Sequence, residues 1–290
     1  MNGTCWLNEI VLPNGEKMNN LSPDQIPEKW SAIAPGYKKA FEVLTSQFAD
    51  DVLFRLAPKT GESVLDVAAG TGAFSLSAAK LGAEVLATDF AQGMVDHIQT
   101  RVDAELIHNL ETRVMDGQAL DIDDGCFDIS VSIVGLIFFP DIDQGFNELK
   151  RVLKPGGRTA VVCWDHPENF DMMKLLKKSI ETAVPDFEIP TQTPVWARLV
   201  GEQQLHERFS KAGFKNIEVA TIDGVLTLDS VEDFWSVFIS SSPPMIALFA
   251  ALGEENTRRV GETFVNLATN NHQDKVVTLA SRACVGIACN

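Results

Sequence analysis

The stretch Ser63-Val-Leu-Asp-Val-Ala-Ala-Gly-Thr-Gly-Ala-Phe-Ser75 decides how the chain folds. Ser63 to Ala68 is short, apolar and rich in β-branched residues, which predicts a parallel strand buried on both faces. Gly70 and Gly72 permit a tight turn that a Cβ would obstruct, and Thr71 to Lys80 has the Ala, Leu, Ser and Lys content of a helix packed on a sheet. Strand, glycine turn and helix in succession aim free backbone N–H groups and the positive end of a helix dipole into the space above the strand. Such a corner suits an anionic group on a small ligand.

The acid inside the strand narrows the choice of ligand. A dinucleotide fingerprint of the form G-x-G-x-x-G needs a third glycine, and Ser75 stands there instead. Asp66, four residues before Gly70, would repel a pyrophosphate but would favour a cation such as the ammonium of an amino acid. With Asp66 and both glycines matching, the segment resembles motif I of the class I S-adenosylmethionine (SAM) dependent methyltransferases. An ordinary strand-to-helix corner is the alternative. The resemblance implies an α/β, Rossmann-like, seven-stranded and mostly parallel sheet with an antiparallel last strand, helices on both faces and helical lid segments. It also implies SAM as cofactor, S-adenosylhomocysteine as product, and Ala68, Gly70, Thr71 and Gly72 beside Asp66 as cofactor-binding positions.

Downstream segments extend the pattern. Ala83 to Asp89 reads as a second strand whose closing acid lies about twenty residues beyond the glycines. A carboxylate there can accept from both ribose hydroxyls of a nucleoside, or it can cap the next helix. By the resemblance, Phe90 and Met94 lie against the adenine, although a Met at a helix start also serves as plain core. Arg113 to Leu120 is expected to be a third strand ending in Asp116-Gly117-Gln118-Ala119, where the resemblance gives Asp116 the adenine amino group and the following N–H groups its ring nitrogens. Gln118 is either a further contact or a solvated loop residue.

Phe127 to Val134 is the expected fourth strand, with Val134 at the cofactor, and Gly135 to Asp141 leaves its carboxyl end, where ligands of doubly wound sheets bind. Phe138 and Phe139 there form either an apolar substrate wall with a π face for a sulfonium or a buried helix start. Asp143 to Leu153 reads as a helix stopped by Lys154-Pro-Gly-Gly157, before a fifth strand from Arg158 to Trp164, with Trp164 at the substrate pocket. This block resembles the second half of the same methyltransferase pattern, at the right distance from the first.

Residues 1–27 are expected to form an irregular arm, and 28–290 a single domain. Trp30, Ile33, Tyr37, Phe41, Leu44, Phe48 and Val52 recur at helical steps, with Pro35-Gly36 expected to break the region in two. In the family resembled, a helical pair in the place of 28–57 covers the cofactor, so Trp30 and Tyr37 touch SAM or substrate, or else pack the helix onto the sheet. The segments 166–200 and 230–270 are expected to shape the substrate pocket. Helices are expected at 171–183 and 202–212, and strands at 215–228 and 276–289.

Composition bounds the partners. The 290 residues are 45% hydrophobic and carry a formal charge of −16, which disfavours nucleic acid and suits a neutral or cationic small-molecule acceptor. Cys5, Cys126, Cys163, Cys284 and Cys289 are scattered, indicating neither a disulfide framework nor a zinc site, and no other metal spacing occurs. No secretory signal pattern is visible, and the longest apolar run, Ile129 to Phe139, is too short for a bilayer. A cytoplasmic chain without membrane insertion is expected, while oligomeric state is not encoded legibly.

By the resemblance, the reaction is an in-line displacement at an already activated methyl, so positioning dominates and a base is needed only if the acceptor loses a proton. His166, beside Asp165 after the fifth strand, is a candidate base or an incidental loop histidine, and Tyr37 is the other catalytic candidate. The resemblance is to the small-molecule branch that includes ubiquinone and menaquinone biosynthesis enzymes. A SAM-binding protein of the same fold without methyl transfer is the alternative; a nicotinamide dehydrogenase is disfavoured by Asp66 and Ser75.

Overall fold

The computed structural model describes residues 22–187, 197–270 and 276–290. Seven strands form one sheet: β1 (Ser63–Val67), β2 (Glu84–Asp89), β3 (Leu110–Val114), β4 (Phe127–Ile133), β5 (Leu153–Trp164), β6 (Lys215–Leu228) and β7 (Val277–Cys289), in the order β3-β2-β1-β4-β5-β7-β6. Every neighbouring pair among β1 to β5 is parallel, and β7 runs antiparallel to both β5 and β6. The strand order reverses between β1 and β4, and a crevice opens there at the carboxyl ends.

Ten helices accompany the strands among the described residues: α1 (Pro27–Ala40), α2 (Glu42–Leu56), α3 (Ala73–Lys80), α4 (Gln92–Glu105), α5 (Ile142–Arg151), α6 (Asp171–Ala183), α7 (Gly201–Lys211), α8 (Val231–Phe238), α9 (Pro243–Leu252) and α10 (Glu254–Asn270). They cover both faces because successive strand residues point opposite ways. Trp164 of β5 meets Phe48 of α2 at 5.7 Å between ring centroids, whereas Gly286, paired with Val161, faces Phe209 of α7. Val64, Leu65, Ile129 and Val131 are fully enclosed, as the continuous apolar strands predict.

Three boundaries depart from the sequence reading. Helix α1 runs unbroken through Pro35 and ends at Ala40, with Phe41 as its cap. Pro35 cannot donate to the Ser31 carbonyl four residues back, and that carbonyl packs instead against Gly93 of α4, where an added Cβ would stand 2.5 Å from it. The helix keeps its course with one main-chain bond fewer, held on α4 at this point by Gly93 N–H donating to the Ser31 hydroxyl at 3.0 Å. Strand β3 lies earlier than expected and ends at Val114, so Asp116 to Ala119 forms the following turn. Strand β5 begins at Leu153, ahead of the Pro-Gly-Gly, with a shift in its pairing to β4.

The arm also differs where it is described. Pro23–Gln25 makes one 3-10 turn, closed by Gln25 N–H to the Ser22 carbonyl (2.8 Å) and Ser22 N–H to Gln25 Oε1 (3.2 Å). Residues 1–21, and 188–196 of the segment 166–200 expected to shape the substrate pocket, lie outside the described residues. Among the described residues no single helix is long and apolar enough to cross a membrane.

The outer strand β6 is closed off by a side chain. The Gln47 amide of α2 pairs with the Val225 backbone through Oε1 (3.0 Å) and Nε2 (2.9 Å), imitating a neighbouring strand. Gln47→Ala is expected to lower stability by about 1 kcal/mol, read from the urea midpoint.

Candidate active site

The carboxyl ends of β1, β2 and β4 and the turn after β3 floor a cavity of about 260 Å³, roofed by the Pro23–Gln25 turn and α1. Two smaller spaces share its walls. One, of about 30 Å³, lies at the glycine turn and is bordered by Asp66, Thr71 and Thr45. The other, about 50 Å³, is apolar and runs between Trp164, Phe170, Met173 and the start of α9. Tyr37 lines all three.

Asp66 is 1% exposed. Its Oδ2 accepts from the Ser75 hydroxyl, and its Oδ1 is buried without a partner among the described residues. The residue in the third glycine position therefore braces the acid. Burial, with the nearby Asp89 charge adding to it, raises the Asp66 pKa to about 7 against the Ser75 hydrogen bond. Burial likewise lifts Asp89 to about 6. An acid whose pKa is raised on folding binds more protons folded than unfolded between about pH 4 and its folded value, so stability falls as pH rises through that interval. Wild-type protein is expected to lose on the order of 3 kcal/mol between pH 4 and 7 relative to Asp66→Asn, measured as the difference in urea unfolding free energies.

Asp89 performs the local task first. Its Oδ2 accepts from Gly70 N–H (2.9 Å) and its Oδ1 from Ala91 N–H (2.9 Å), joining the glycine turn to the entry of α4. The carboxylate lines the main cavity, and each of its oxygens has a second lone pair beyond the one so used. On the far side of the turn, Arg101 of α4 donates to the Thr71 carbonyl and to Glu42 Oε1, both at 2.9 Å, a brace that no sequence motif announced.

Among the described residues, two of the five non-glycine positions with left-handed φ stand here. Ala68 and Val134, the residues just past β1 and β4, take left-handed φ values of 56° and 59°, unfavourable for alanine and more so for a β-branched valine. Both line the main cavity, and Gly135 lets the two strand ends meet, since a Cβ on it would stand 2.5 Å from the Ala68 Cβ. Gly70 also lines the cavity. Gly72 does not: its left-handed backbone starts α3, and a Cβ there would press on Ile98 at 3.0 Å, so its small size serves helix packing.

Phe90, Met94, Asp116, Gly117 and Gln118 all border the main cavity. Asp116 Oδ1 accepts from Gln118 N–H at 2.9 Å, and Gln118 Oε1 accepts from Asp141 N–H at 2.8 Å, tying the turn after β3 to the loop after β4. Gly117 is required by crowding, because a Cβ would stand 2.4 Å from Phe139 and 2.6 Å from Val67. Trp30 and Phe138 pack edge-on at 4.9 Å between the main cavity and the apolar slot; Phe139 borders the former and Trp164 the latter.

His166 is not brought to this site. It stands exposed against Gly201 and lines none of these cavities. Asp165 turns inward, accepting from Asn169 at 2.7 Å. Conversely, Asp24 and Gln25 reach the main cavity from the arm, and Ser242, Pro244 and Met245 reach the slot. The Ser-Pro-Asp-Gln run of a short capped turn was the available signal for the first pair. Among the described residues no group of three or more His, Cys, Asp or Glu is placed to hold a metal.

Comparison with known proteins agrees with this geometry. Residues 64–157 match the methyltransferase domain family. The chain is 35% identical to the demethylmenaquinone methyltransferase of Clavibacter sepedonicus over 147 residues, covering 49% of this chain and 58% of that protein. It is 41% identical over 104 residues to an uncharacterized protein of Mycobacterium tuberculosis, covering 36% of this chain and 38% of that one. The chain thus spans between 38% and 58% of the length of these relatives. In fold it is similar to the [4+2]-cyclase SpnF, with a TM-score of 0.58 at 18% identity over 92% of this chain and 96% of that one. The matched segment, 64–157, runs from β1 to the start of β5, so the likeness to a methyltransferase domain falls on the strands and the acid-flanked glycine turn that floor the cavity.

Proposed function

We propose that the chain transfers a methyl group from SAM to a small-molecule acceptor. The observation that carries this reading is the buried, unpartnered Asp66 oxygen at the glycine turn, one shared wall away from the Asp89 carboxylate. A carboxylate in that state is costly unless a cation completes it, and an amino-acid ammonium is such a cation. Asp66 would hold the ammonium, Asp89 the ribose hydroxyls, and Phe90, Met94 and the Asp116–Gln118 turn the adenine. Bound there, SAM supplies a methyl already activated by its sulfonium.

The residues of the chain then do the work of placement. Reacting atoms must be held about 3 to 3.5 Å apart with water excluded, which suits the strained, crowded junction of Ala68, Val134 and Gly135 under Trp30 and Tyr37. Burial, with the charges of Asp89 and Glu42, pushes the Tyr37 hydroxyl well above its ordinary pKa. Tyr37 therefore keeps its proton and acts as an orienting donor, not as a base.

Asp89→Ala is expected to weaken SAM binding by about 1–3 kcal/mol through lost charged hydrogen bonds, measured calorimetrically. Unchanged affinity would reject its ribose role. A second reading is binding of SAM without transfer, because the positions that would hold the cofactor serve either activity. Mass spectrometry of small-molecule pools incubated with protein and SAM separates the two: acceptors gaining one methyl support transfer, and cofactor uptake with no methylated product supports the second reading.

A further inference from the structure

Four carboxylates, Asp24, Asp66, Asp89 and Asp116, line the three adjoining cavities, and among the described residues no Lys, Arg or His does. Asp66 and Asp89 sit on the strand side, at the positions read above as cofactor-binding. Asp24 belongs to the roof. It is 2% exposed, its Oδ1 accepts from the Ser22 hydroxyl, and its Oδ2 is buried with no partner among the described residues. Its backbone carbonyl accepts from Trp30 Nε1 at 2.8 Å, which fixes the indole between Asp24 and the apolar slot. The turn that carries Asp24 packs on α9, whose first two residues, Pro243 and Pro244, have no N–H to offer the slot. The roof therefore presents to the main cavity one carboxylate with an unpartnered oxygen, and the apolar slot lies on the other side of the indole.

Resting on the methyl-transfer reading, we propose that Asp24 recognises the acceptor: its free oxygen takes a hydrogen bond from an amine or hydroxyl group that an apolar acceptor without negative charge presents in the main cavity beside Trp30, its apolar body extending past the indole into the slot. An amine is held as a charge-assisted pair, a hydroxyl as a hydrogen bond, and a carboxylate or phosphate is repelled by all four acids and meets no cation to offset its desolvation. Asp24 is thus a specificity residue distinct from those placed at the cofactor.

The test uses the full chain and matched probes. S-adenosylhomocysteine is titrated calorimetrically into wild type and Asp24→Asn, and benzylamine, benzyl alcohol and benzoate are then titrated into the cofactor-saturated proteins by ligand-observed NMR. Wild type is expected to bind the amine and the alcohol at least about tenfold more tightly than benzoate. Asp24→Asn, with its melting profile unchanged, is expected to lose about tenfold for the amine and alcohol while holding S-adenosylhomocysteine within about twofold. Benzoate binding as well as the others, no binding by any of the three, unchanged amine and alcohol affinities in the variant, or a matching loss of S-adenosylhomocysteine affinity each overturns the proposal. If the variant melts early, the wild-type selectivity decides alone. Wild-type protein that takes up no S-adenosylhomocysteine contradicts the methyltransferase reading itself, so the two failures are distinguishable.

Discussion

Asp66→Asn is expected to weaken S-adenosylhomocysteine binding about a hundredfold while leaving the chain at least as stable at pH 7. The two effects diverge because the same oxygen is a liability without ligand and a partner with it. In the free protein Asp66 Oδ1 is buried and unsatisfied, and burial raises the pKa of the acid to about 7. A neutral amide removes that desolvation cost, keeps the volume and can still engage Ser75. In the complex it cannot neutralise an ammonium. Calorimetry reads the affinity and urea unfolding the stability. A variant that loses both together would show that Asp66 is chiefly a structural acid.

Gly93→Ala is expected to unseat α1 from α4. An added methyl would stand 2.5 Å from the Ser31 carbonyl oxygen and 2.7 Å from the Ser31 Cα, backbone atoms that cannot rotate away. The Gly93 N–H also donates to the Ser31 hydroxyl at 3.0 Å. The cost is that of overpacking, about 1–3 kcal/mol, and it falls on the helix that carries Trp30 and Tyr37. Cofactor affinity is therefore expected to drop at least about tenfold with the sheet intact. Far-ultraviolet circular dichroism should change little, while hydrogen exchange should accelerate in α1. Unchanged exchange and affinity would mean that α1 can shift as a body and keep its cover.

The parts of this site legible in the sequence are those whose chemistry is local. The glycine turn, Asp66, Asp89 and Asp116 announce themselves because strand, turn and acid lie within a few residues of one another, and the structure brings all of them to one crevice. The helix at Asp171–Ala183 and the strand at Lys215–Leu228 follow from period and punctuation alone. What stayed hidden depends on partners distant in the chain. Pro35 predicts a break only if Ser31 has no other neighbour, and its neighbour is Gly93, sixty-two residues away. Gly72 looks like a ligand glycine until Ile98 is seen against it. His166 follows the right strand end, but its side chain remains outside while Asp165 turns in. Asp24 sits in a run read as irregular, and its importance comes from burial that α1 and α9 impose.

The most direct test of the central claim, that the carboxyl ends of β1 to β3 hold a nucleoside with an amino-acid tail, is a calorimetric titration of the purified full chain with S-adenosylhomocysteine. The geometry predicts saturable binding at one site per chain, with affinity rising as pH increases through 7 because the ammonium favours ionised Asp66. No binding, or binding indifferent to that pH interval, would contradict it.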